Sequence, residues 1–217
     1  MSLAAVLRRG LPLALGLGLG LAASTGAAAL PDGQAAVAEK VVGQVHCVLG
    51  HGSLRPLQDG RVLFFGDRVV TGEDGRVLLR LSAGAVVRLA PNTDLDLREP
   101  VGQGSYLGLL KGWARFLVGV RTAGAEFEVQ TDNAVAAVKG TDMEVGKRAD
   151  GSTYACVYAS DHKPALELRD RSSGAKVGVG AGEGATDQAG AISTFQLTDT
   201  DRKKDAARFK GLPEPSL

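Results

Sequence analysis

Apolar and polar residues alternate along much of this chain. In RVLLRL, Val77, Leu79 and Leu81 share one face and Arg80 takes the other. In TDLDLR, Leu95 and Leu97 alternate with Asp94, Asp96 and Arg98, and in AEFEVQ, Phe127 and Val129 alternate with Glu126, Glu128 and Gln130. Met143 and Val145, then Leu166 and Leu168, continue the pattern. A period of two puts successive side chains on opposite sides of an extended backbone, so each segment predicts a strand with one dry face. Turn formers separate the runs: Asp59-Gly60, Gly66-Asp67, Asp74-Gly75, Pro91-Asn92, Asp150-Gly151 and Ser173-Gly174. Such pairs favour positive φ or turns closed by a side chain. Apolar runs recur roughly every ten residues between Arg61 and Leu97, and no strand–helix alternation is present. The expected fold is all-β, a solenoid-like or roll/sandwich arrangement of many short strands.

One segment departs from this period. TDTDRKKDAARFKGLP places acids early, basic residues late, and Gly211 and Pro213 at its end. It predicts a short helix over about 200–210, capped by Thr198 or Thr200. Residues 30–40 read as a leader, 41–197 as the β domain, and 198–217 as the short helix and a loose tail. Thirty glycines with only 5% aromatic residues agree with many tight turns.

The N-terminus has a different character. Arg8 and Arg9 precede the apolar run LPLALGLGLGLAAS, and small residues stand at Ala27 and Ala29. This is the order of a secretory signal peptide over 1–29, and the run is also long enough for an uncleaved anchor. Arg8-Arg9 reads as an ordinary basic region, with the twin-arginine route as the alternative. Loss of 1–29 takes Lys+Arg from 25 to 23 against 24 acids, for a mature formal charge of −1. Without a basic block there is no electrostatic case for a nucleic-acid partner. No second apolar run has membrane length, so no membrane span is expected after signal cleavage. The expected location is periplasmic or extracellular.

Candidate chemistry is sparse. Cys47 and Cys156 form a disulfide or remain two buried thiols, since an exporting compartment favours the first and their strand contexts favour the second. Asp67, Glu73 and Asp74 lack the spacing of a calcium loop and fit turn chemistry. Asp94 and Asp96 share a wet strand face without a marked cleft. His46 and Cys47 are adjacent, so they point to opposite faces and do not converge on a metal with His51. Cys156 and His162 come with no flanking nucleophile signature. No catalytic, metal or cofactor residues are therefore assigned. Gly140-Thr141 reads as a bend or bulge between strands. Trp113 and Phe116 fall on opposite faces of one strand. Either one of them is exposed as a partner-binding anchor, or two layers bury both.

Several phrases in order resemble the FecR domain. They are Gly66-Asp67 with Thr71-Gly72, the LAPNTDL segment from Leu89 to Leu95, the Gly112–Phe116 strand, and Phe127 to Val145, with Met143 where phenylalanine is common in the family. The resemblance covers about 41–160 and extends toward 197. It implies an all-β periplasmic domain, which in the best-known members belongs to a transmembrane anti-sigma regulator that hears from an outer-membrane iron–siderophore receptor. Only ten residues precede the apolar run, so no cytoplasmic sigma-binding domain is expected, and no small α/β subdomain is seen after 160. The expectation is an exported, non-enzymatic binding or envelope-signalling module. Its partner would be an envelope protein met through an edge strand, or, as a structural envelope protein, a cell-wall or surface polysaccharide.

Overall fold

The structure is a computed structural model and describes residues 33–100, 105–119, 127–138 and 140–217. The signal peptide over 1–29 lies outside the described residues. Among the described residues, seventeen strands form two facing sheets that share a strand, and one helix follows them.

Sheet A runs, in spatial order, β4 (Val62–Phe64), β1 (Gln34–Val42), β6 (Arg76–Leu81), β7 (Ala85–Leu89), the C-terminal half of β9 (Ser105–Val118), β12 (Thr141–Lys147), β13 (Thr153–Ala159), β16 (Glu183–Gln188) and β17 (Ala191–Gln196). Sheet B runs β3 (Leu54–Pro56), β2 (Val45–Val48), β5 (Arg68–Thr71), β8 (Asp94–Leu97), the N-terminal half of β9, β10 (Phe127–Gln130), β11 (Ala134–Val138), β14 (Leu166–Asp170) and β15 (Lys176–Val179). Among the described residues only β9 and β10 pair in parallel. After β9 the chain lays down one hairpin in each sheet in turn, rolling outward from the centre.

The alternation read from the sequence becomes the core. Val77, Leu79, Val87, Leu89, Phe116, Met143 and Val145 face inward from sheet A. Val69, Leu95, Leu97, Phe127, Val129, Leu166 and Leu168 meet them from sheet B. Phe116 and Phe127 close the contact edge to face, with ring centroids 5.8 Å apart.

Strand β9 can serve both sheets because it bends at Gly112. This residue sits at φ +88°, and a Cβ there would lie 2.5 Å from the Thr93 hydroxyl oxygen. The Thr93 hydroxyl takes the Trp113 N–H at 3.1 Å and reaches the Trp113 carbonyl at 3.2 Å. The Thr71 hydroxyl in turn donates to the Ala90 carbonyl at 2.7 Å and accepts from Thr93 N–H at 2.8 Å. Thr71-Gly72 and LAPNTDL are thus two halves of one corner. Two acids beside this corner cap loops: Asp67 accepts from Phe64 and Gly50 N–H, and Asp74 from Gln44 N–H.

Two expected boundaries move. The leader over 30–40 is largely strand, because β1 starts at Gln34 and pairs with β4 and β6. Its alanines are poor strand formers, but they are small enough for the tight inward positions Ala36 and Ala38. The tail over 212–217 is not loose: Leu212 packs with Leu78 and Val86, and Glu214 pairs with Arg88 at 3.2 Å. The helix α1 (Asp199–Arg208) forms as expected, capped by Thr198, whose hydroxyl accepts from Asp201 N–H while the Asp201 carboxylate accepts from Thr198 N–H.

Candidate functional site

The outer faces of the two sheets are treated differently. The outer face of sheet A is covered by the C-terminal segment. Residues that alternation points outward there include Trp113 and Arg115 on β9, Asp142 and Glu144 on β12, and Tyr154, Cys156 and Tyr158 on β13. Helix α1 closes over them with Asp205 and Arg208, and Phe209 follows at its C-cap.

A polar network results. Glu144 is fully buried, and its carboxylate accepts from Arg208 Nη1 at 2.6 Å and from the Tyr158 hydroxyl at 2.8 Å. Asp205, also buried, contacts the same Tyr158 hydroxyl and the same Arg208. Tyr158 has one proton to donate and two carboxylates to serve. Burial pushes Glu144 up to about 7, with Asp205 adding repulsion and Arg208 opposing it. Arg115 pairs with Asp142 through two bonds, at 2.8 and 2.7 Å, and lies 4.2 Å from the Tyr158 ring centroid.

Beside this network runs an aromatic row. Trp113 meets Tyr154 at 5.2 Å between centroids, and Tyr154 stacks on Phe195 of β17 at 5.2 Å. Glycines make the row possible. A Cβ at Gly146 would lie 2.3 Å from the Trp113 ring, and one at Gly184 would lie 2.2 Å from Phe195.

The residues singled out from the sequence fall as follows. Phe116 is fully buried between the sheets. Trp113 is on the opposite face, as alternation requires, but it is half-covered by Arg208, whose guanidinium stands 3.7 Å from its ring centroid. The two therefore do not form one binding surface, and Trp113 is an anchor for the protein's own helix. Of the two alternatives for Cys47 and Cys156, a disulfide or two buried thiols, the structure has the second: both are free and buried. Cys47 lies in sheet B on the core side, and Cys156 lies in sheet A facing the Glu144 network. Burial pushes Cys47 up to about 11, helped by Asp67, and Cys156 up to about 12, helped by Glu144. No group of three or more metal-ligating side chains occurs among the described residues.

At the end of the roll where its later hairpins turn, the acids act as caps. Asp170 accepts from the N–H and hydroxyl groups of Ser173 and Ser172, which hold its carboxyl well below the usual range. Asp187 is buried beside it, takes a 2.6 Å bond from Asn133 Nδ2, and is raised by burial and by Asp170.

The last edge of sheet A is different again. Strand β17, with the sequence AISTFQ, carries no charge, proline or glycine, and among the described residues it pairs with β16 alone. Ser193 and Thr194 are exposed on it. Next to it the edge strand of sheet B, β15, helps to line a cleft of about 350 Å³ with Thr194, Phe195, Gln196 and Glu183. Sequence reasoning missed this edge because nothing local marks which strand is last. The uncharged run AISTFQL was the available signal.

Residues 67–160 match the family model described as FecR protein. No curated protein matches the chain. Two crystal structures of a candidate anti-sigma factor from Parabacteroides distasonis share the fold, each with a TM-score of 0.55 and 20% identity over 66% of this chain. The chain spans 65% and 64% of the length of those solved chains, just under two thirds. At that identity the likeness is one of fold. Among the described residues no helix is long and apolar enough to cross a membrane. The corner built from Thr71 and Thr93 and the bend at Gly112 both lie within the 67–160 stretch that matches the FecR protein family model.

Proposed function

We propose that this chain is an exported, non-catalytic protein-binding module of envelope signalling, which receives an extended segment of an envelope protein alongside β17. The observation that carries the reading is the uncharged edge of β17, which among the described residues has no strand on its outer side. Natural edge strands are usually blunted with charge, proline or a cover, and an unblunted edge is a template for a further strand. The β3 edge, by contrast, is three residues long and contains Arg55 and Pro56. The family likeness to regulators supports a protein partner. A polysaccharide partner is the weaker reading, since the only tryptophan is occupied by Arg208 rather than displayed.

The test is site-specific photo-crosslinking from position 194 in the native host. The expected result is adducts confined to one extended segment of one envelope protein, lost in Ser193→Lys while the melting temperature is unchanged. Adducts that persist in Ser193→Lys, or that join two copies of this chain, would overturn the reading. Export is checked by the N-terminal sequence of the protein from the envelope fraction, expected to begin near Leu30. A protein confined to the cytoplasm would remove the envelope partner.

A further inference from the structure

The outer face of sheet B contains a recess of about 340 Å³, at the low end of the range for small-molecule sites (~300–1,000 Å³). Its floor follows from the register. Glu128 on β10 stands opposite Ala137 on β11, which stands opposite Glu167 on β14. The small Ala137 leaves a hollow between two carboxylate-bearing strands. Gly178 extends the row opposite Glu167, and Pro164 packs so close that a Cβ on Gly178 would lie 2.7 Å from its side chain. The loop through His162, Lys163 and Pro164 thereby forms one wall.

The polar groups there are incompletely used. Glu128 is only 9% exposed, and among the described residues its one side-chain partner is the Gln130 amide at 3.1 Å, with no cation. His162 Nε2 is buried without a hydrogen-bond partner. Lys163 and Arg169 line the same recess, and among the described residues neither has an ion pair. An uncompensated buried carboxylate and an orphan imidazole nitrogen are both costly, and a ligand of matching charge relieves both costs.

We propose that this recess binds a small zwitterion of dipeptide size, with its ammonium group on Glu128 and its carboxylate toward Arg169, Lys163 and His162. The second carboxylate of the recess, Glu167, is paired with Lys176 at 3.5 Å, so among the described residues Glu128 is the one that lacks a cation. Arg169 lies opposite Val135, two strands across and two residues along from Glu128, roughly 12 Å between Cα positions by strand spacing and rise. With both side chains reaching inward, a ligand of roughly 7 Å, the extended length of two residues, spans the remaining gap. The apolar floor of Ala137 and Val135 suits small side chains. This site is separate from the β17 edge, and neither proposal depends on the other.

The experiment is an amide-resolved NMR titration of the purified chain with alanyl-alanine, its N-acetyl form, its C-terminal amide and free alanine. Expected are saturable shifts confined to β10, β11, β14 and the 160–165 loop, with a Kd of about 1 mM or tighter for the dipeptide. N-acetylation, amidation and shortening to alanine should each weaken binding about tenfold or more. Glu128→Gln should remove the penalty of N-acetylation, and Arg169→Ala, at an exposed position, the penalty of amidation. Absence of saturable shifts, equal binding of the acetylated and free forms, or unchanged ligand preference in both variants would overturn the assignment.

Discussion

The guanidinium carbon of Arg208 stands 3.7 Å from the ring centroid of Trp113 while its Nη1 bonds the buried Glu144 at 2.6 Å. One residue of the C-terminal helix thus joins the aromatic row and the acidic network of sheet A. Planarity allows both contacts at once, since the ring packs on its face and the carboxylate meets its edge.

Arg208→Ala is expected to lower stability by about 3 kcal/mol, because it leaves Glu144 buried without its cation. Urea denaturation at pH 8, followed by the fluorescence of the single tryptophan, measures it. Arg208→Lys should restore only part, since an ammonium cannot stack and pair in the same way. A loss under 0.5 kcal/mol, the ordinary range for surface substitutions (about ±0.5 kcal/mol), would show that the helix does not depend on this contact.

Glu144 should make the protein more stable in mild acid than in mild base. Its folded value of about 7 lies above its ordinary 4.5, so between those limits the folded state holds more protons than the unfolded state. Stability contributed by the bound proton is present below pH 4.5 and is lost as pH rises through 7, on the order of 3 kcal/mol over the full window. Melting temperatures of Glu144→Gln against the native chain from pH 5 to 8 test this. The variant should show a flatter profile and gain most at the alkaline end, and parallel profiles would contradict the assignment.

Gly146→Ala should cost about 2 kcal/mol by overpacking, because the intruding Cβ meets a Trp113 ring held between Tyr154 and Arg208. Gly184→Ala meets the far end of Phe195 on the edge strand, which can move, and should cost less. Equal losses in thermal unfolding would mean that Trp113 is not held in place.

Both thiols should be unreactive toward an aromatic disulfide reagent in the folded protein and react fully once it is unfolded. Burial keeps them protonated, and the thiolate is the nucleophile. Reductant should leave the melting temperature unchanged. A mass lower by two hydrogens without reductant would contradict the separate placement of Cys47 and Cys156.

Much of the architecture is written in local pattern. A period of two is the same wherever a strand lies, so Leu79, Leu95, Phe127 and Met143 could be assigned to a core before their partners were known. Helix α1 was legible for a similar reason: Thr198 and Asp201 cap within one turn. The tertiary structure alone decided what depends on distant neighbours. Gln34–Val42 becomes a strand because β4 and β6 lie beside it, although its alanines carry weak local preference. Glu144 alternates outward like any solvated acid, and only a helix some sixty residues further on turns that position into the most buried charge of the outer face. The openness of β17 and the hollow above Ala137 are likewise set by which strand is last and which side chains stand opposite. Alternation states which way a residue faces; what it faces is decided by chain segments far away in sequence.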